Sequence, residues 1–127
     1  MNEYYENGVI KSIITKIKGS DLSVYYKFYE NGILHKYGEM SGEKFNGKYL
    51  EYYSNGRLYL SGKMKDNGLN GSFNEFYNNG SLFSNGTYLN NRFEGLYEMF
   101  SENGSLISRI YYHHGVEIFS IDCSNEM

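Results

Sequence analysis

A chain of 127 residues holding 15 Gly, 15 Tyr and 8 Phe, with no Pro and no Trp, fits one domain over residues 1–127. Ala is absent as well; it is the best helix former, and aromatic residues favour strands, so a helical fold is excluded. The net charge of −3 argues against nucleic acid as a partner, and the lone Cys123 excludes an internal disulfide.

The opening Met-Asn-Glu-Tyr-Tyr-Glu carries neither a basic nor an apolar leader segment. No apolar run approaches the ~18 residues of a spanning helix, so the chain as given reads as cytoplasmic. Asn-Gly then recurs at Asn7-Gly8, Asn31-Gly32, Asn55-Gly56, Asn79-Gly80 and Asn103-Gly104, 24 residues apart each time. Asn-Gly between apolar runs marks a hairpin, and a fixed period marks one hairpin stacked on copies of itself. The expectation is five hairpins with two-residue type I′ turns. They give about ten strands in a sheet roughly 45–50 Å long at about 4.8 Å per strand.

The first copy departs from the pattern, with Ile14 where Gly38, Gly62 and Gly86 stand later. Its Lys11, Lys16 and Lys18 read as a solvated end face rather than a lipid-headgroup site. The central copy places strands over 48–54 and 57–64. Asp66-Asn67-Gly68 follows as a plain turn, because it lacks the spaced acidic ligands of a calcium loop. A two-residue turn sets Tyr53 opposite Leu58, Glu51 opposite Leu60 and Tyr49 opposite Gly62.

Alternation then sorts two faces. One carries Tyr49, Tyr53, Leu58, Gly62 and Met64 with their 24-residue equivalents, and packs, with a ring covering each strand Gly. The other repeats only Tyr4, Phe28, Tyr52, Phe76 and Phe100; its remaining positions change from copy to copy, as in Ile33/Arg57/Ser81, His35/Tyr59/Phe83 and Tyr37/Ser61/Asn85. That variable face is the expected partner-binding surface: Tyr52, Tyr59, Phe76, Phe83, Arg57, His35, Tyr37 and Asn85. In the last copy Ser101 and Ile110 break the pattern, Phe119 replaces a Gly, and residues from Ile121 onward are expected to fray. A single layer must cover its apolar face by coiling, by folding over or by pairing with a second copy, so a homodimer is an alternative association.

The phrase Tyr52-Tyr53-Ser-Asn55-Gly56-Arg-Leu58, followed by Gly62 and Leu69-Asn-Gly71, resembles MORN repeats, closest to the bacterial variant in antitoxins of toxin–antitoxin systems. It recurs at Phe28–Leu34 and Phe76–Leu82, and the resemblance covers about residues 4 to 112, strongest in the middle copies. It implies stacked antiparallel hairpins in an elongated, curved sheet, and an interaction role toward proteins or membranes. For the bacterial variant it implies an antitoxin or immunity role. It brings no catalytic residues.

The residues themselves offer no catalytic constellation. His113 and His114 are neighbours, so in a strand they point to opposite faces; His35 has no acidic residue two positions away. No metal site, cofactor or catalytic group is expected. The reading is an all-β, non-enzymatic protein–protein interaction module, an antitoxin or immunity protein that blocks a partner, a toxin in that case. A self-assembling or membrane scaffold is the alternative, made the weaker by the net negative charge, and a carbohydrate-binding module is a minor one.

Overall fold

The structure, a computed structural model, describes residues 2–124. Among these residues there are strands and turns and no helix, as the composition requires. Five hairpins stand in chain order: β1 (Asn2–Tyr4) with β2 (Ile10–Lys16), β3 (Leu22–Phe28) with β4 (Leu34–Ser41), and β5 (Lys44–Tyr52) with β6 (Leu58–Lys65). Then follow β8 (Gly71–Phe76) with β9 (Leu82–Leu89), and β11 (Gly95–Phe100) with β12 (Leu106–His113). The two-residue strands β7 (Gly68–Leu69) and β10 (Arg92–Phe93), and the final β13 (Val116–Asp122), bring the total to thirteen rather than ten. All lie in one antiparallel sheet whose long path runs in sequence order from β1 to β13, with β7 on β6 and β10 on β9.

The turns differ from expectation. At each Asn-Gly only the glycine has positive φ, between 87° and 95°, while the asparagines do not. Gly56 N–H donates to the Tyr53 carbonyl at 2.9 Å and Tyr53 N–H to the Arg57 carbonyl at 2.8 Å. This is a three-residue loop with a left-handed glycine at its third position, not a type I′ turn. Asparagine is chosen here for its side chain: Asn55 Oδ1 accepts from Arg57 N–H at 2.9 Å, and the other four copies repeat that bond. Positive φ at two central residues occurs at the other edge, at Asp66-Asn67, Asn90-Asn91 and His114-Gly115. The turn expected at Asp66-Asn67-Gly68 is there.

The longer loop shifts the register by one residue. Glu51 faces Leu60 and Tyr49 faces Gly62 as expected, but Tyr52, not Tyr53, faces Leu58. A bulge at Tyr59 absorbs the difference, and the same bulge falls at Lys11, His35, Phe83 and Ile107. Slipping by one residue exchanges faces. Leu34, Leu58, Leu82 and Leu106 therefore join Phe28, Tyr52, Phe76 and Phe100 on the second face, while the bulge residues turn to the first.

Copies are bolted together by a second periodic bond. Tyr5, Tyr29, Tyr53 and Tyr77 each donate their hydroxyl at 2.6 Å to the carbonyl of Phe28, Tyr52, Phe76 and Phe100 in the next copy. Above them the first face packs ring on ring. Tyr25, Phe45 and Tyr49 form one set, packed edge to face, and Phe73, Tyr88, Phe93, Tyr97 and Tyr112 another, in which Phe93 stacks on Tyr88 and Tyr112 and meets Tyr97 edge-on. Phe73 at 2 % exposure and Tyr49 at 8 % are the most buried of these rings. Rings of the following copy lie over the strand glycines: a Cβ on Gly38 would stand 2.6 Å from Phe45 Cδ1, and one on Gly86 2.9 Å from Tyr97 Cδ2. Along this row Tyr49 and Phe73 are buried by their neighbours, and the other rings of the two sets stay half-buried.

The C-terminal stretch is strand through Asp122, Cys123 is buried, and Ser124 N–H bonds Asp122 at 2.9 Å, so fraying from Ile121 is corrected for these residues. Residues 125–127, on which the same expectation fell, lie outside the described residues.

Candidate interaction face

In four copies the bulge sets one side chain against the tyrosine that bolts its copy to the next. Lys11 Nζ lies 5.6 Å from the centre of the Tyr5 ring. His35 stacks on Tyr29 at 4.1 Å, Tyr59 meets Tyr53 edge-on at 5.1 Å, and Phe83 meets Tyr77 at 5.0 Å. The last copy has Ile107 at the bulge and Ser101 in place of the tyrosine. The result is a row of rungs on one face, on the order of 10 Å apart because each copy adds two strands. The tyrosine is fixed by its hydrogen bond to the next copy; the bulge residue facing it changes chemistry from copy to copy.

A mostly polar row runs beside the rungs: Lys27, Lys36, Glu51, Glu75 and Ser84 follow from strand to strand, with the apolar Leu60 standing between the two glutamates. Lys36 pairs with Glu51 at 3.5 Å, and Tyr49 donates to the same carboxylate oxygen at 2.7 Å. Burial pushes the Tyr53 and Tyr59 hydroxyls up, and the Glu75 charge adds to it. Burial first, then Lys36 and Lys27, hold the His35 imidazole below its usual range. Tyr29, His35, Glu51, Tyr52, Tyr53 and Tyr59 line a shallow cleft of about 250 Å³.

The eight residues expected to share the variable face are divided between the two. His35, Tyr59 and Phe83 stand on the first face, against Tyr29, Tyr53 and Tyr77, because of the bulge; this corrects their assignment. Tyr37 and Asn85 stay on the second face, Tyr37 against Tyr26 at 5.6 Å and Asn85 across from Asn74 and Glu98. Tyr52 and Phe76 remain there opposite Leu58 and Leu82. Arg57 sits in the loop, where Nη1 donates to the Asn78 carbonyl at 3.3 Å. Lys11 and Glu75 were not expected at a site. Their signal in the sequence is positional: Lys11 precedes His35, Tyr59 and Phe83 in the 24-residue register, and Glu75 follows Glu51.

The histidine pair also differs from expectation. His114 lies in the tight turn with φ 51°, so its ring comes within 3.9 Å of the His113 ring instead of pointing away. Glu94 accepts from His114 N–H at 2.9 Å and contacts His113 Nδ1 at 3.2 Å. The His114 N–H is the main reason the Glu94 carboxyl sits below its usual range. No group of three or more His, Cys, Asp or Glu among the described residues is set to hold a metal ion.

With this geometry in view, three segments of the chain, residues 1–15, 69–90 and 93–114, match the MORN repeat variant. MORN repeats are a non-catalytic family of interaction modules, and the single antiparallel sheet of hairpins is the architecture they build. The matched segments take in the first and last copies, where the 24-residue pattern is weaker, and leave out residues 16–68. Those residues nonetheless form hairpins with the same loop, bulge and tyrosine bond. No curated protein matches the chain.

Proposed function

We propose that the chain is a non-enzymatic protein–protein interaction module that docks a partner protein along the rung face and blocks it sterically, as an antitoxin or immunity protein does. One observation carries this reading. Five equivalent positions, identically placed by the bulge, present Lys11, His35, Tyr59, Phe83 and Ile107 on one face. The bulge itself asks for no particular side chain there, and rigid aromatic side chains with directional polar neighbours are the usual anchors of interfaces. Tyr52, Phe76, Tyr37 and Asn85 form the opposite surface, and Arg57 the loop rim. Capture from a native lysate with the tagged chain, compared with the Tyr59→Ala/Phe83→Ala variant, tests the reading. One stoichiometric partner lost by the variant, with the thermal melt kept, supports it. A partner held equally by both moves the interface off the rungs, and self-assembly without a partner favours a scaffold.

A further inference from the structure

Glu51 and Glu75 occupy the same place in successive copies, and Lys36 shows how that place holds a cation. Lys36 lies directly across from Glu51 and pairs with it at 3.5 Å. In the next copy the residue across from Glu75 is Leu60. Glu75 has no lysine, arginine or histidine within ion-pair reach among the described residues. Its contacts are two long ones, Tyr59 Oη to Oε2 at 3.5 Å and Ser84 Oγ to Oε1 at 3.4 Å. The carboxylate is half-buried beside the Tyr53/Tyr59 rung, and its charge is felt at Tyr53, Tyr59, Tyr88 and Tyr97. The rungs also accept cations, since Lys11 already lies over Tyr5.

We infer that Glu75 is the seat for an arginine or lysine side chain of the partner protein, which supplies to Glu75 the positive charge that Lys36 supplies to Glu51. This rests on the rung face being the docking surface. A carboxylate flanked by aromatic rings suits a guanidinium best: the planar fork donates two hydrogen bonds to the carboxylate while its face lies on a tyrosine. Partial burial of Glu75 keeps that pairing from being screened as an open surface pair would be.

The test needs no partner. N-acetyl-arginine methylamide is titrated into the full chain while the tyrosine ring signals are followed by NMR, alongside the neutral citrulline analogue. A nine-residue peptide with a central arginine is titrated in parallel. Saturable shifts at Tyr53 and Tyr59 with the arginine compound alone, weakened at least tenfold in Glu75→Gln, support the inference. Leu60→Lys, which supplies the internal cation of the preceding copy, should block binding to the same extent while keeping the melt. Equal shifts with the citrulline analogue, or binding untouched in both variants, overturn it. A peptide no tighter than the blocked residue would mean a small free cation instead of a protein segment, which also overturns it. Failure here with lysate capture still dependent on Tyr59 and Phe83 would sink the Glu75 seat and leave the docking face standing.

Discussion

The middle hairpins and the C-terminal end are built on one plan and held with very different strength. Between β3 and β9 each copy donates a tyrosine hydroxyl to the next, and rings of the next copy close over a strand glycine. At the end, Ser101 replaces the tyrosine and turns its hydroxyl back on Asn103 and on Ser105 N–H within its own loop. Every residue of β13 is exposed, with Phe119 at 50 % and Ile118 at 61 %. In a one-layer repeat each unit leans only on its neighbours, so what a copy contributes depends on how many bolts reach across to it.

Six substitutions, taken in pairs, would break or sharpen that contrast. Phe73→Ala removes a ring at 2 % exposure and should cost about 3–5 kcal/mol in a denaturant melt. Phe119→Ala removes a half-exposed ring stacked on Tyr111 at 4.4 Å and should cost under about 1.5 kcal/mol. Equal costs would erase the difference between the two regions. Gly38→Val pushes side-chain atoms into the Phe45 ring and should cost about 2–3 kcal/mol, since a packed ring cannot yield that much. Gly80→Val, at φ 95° with Arg57 as the nearest group, meets no such wall. Backbone strain alone predicts about 1–2 kcal/mol there. Last, Tyr53→Phe leaves the Phe76 carbonyl without its 2.6 Å donor and should cost about 1–2 kcal/mol, against a few tenths for Ser101→Ala. Hydrogen exchange across β8 would show whether that loss is local.

Much of this was legible in the chain. The 24-residue ruler locates all five hairpins, and the Tyr49–Gly62 pairing follows from it. The bulge did not follow, because alternation counts residues in twos and cannot see one extra residue. Asn55-Gly56 suits two loops: a two-residue turn with both residues left-handed, or a three-residue loop with only the glycine so. Asparagine's own hydrogen bond to Arg57 N–H decides for the second. That single residue carries His35, Tyr59 and Phe83 across to the other face. His113 and His114 failed the same rule for the same reason, since a residue in a tight turn does not alternate. The tyrosine bolts have no signature in the sequence, because the acceptor is a backbone carbonyl 23 residues away and carbonyls leave no mark there.

The central claim is that the bulge gathers the variable side chains onto the rung face. Selective labelling of tyrosine and phenylalanine rings with a NOESY spectrum tests it directly. Cross-peaks linking the Tyr53 ring to Tyr59 and the Tyr77 ring to Phe83, at separations of 5.1 and 5.0 Å, are the predicted result. Their absence, with Tyr59 instead in contact with Tyr52 and Phe83 with Phe76, would place the variable residues on the opposite face and contradict the account.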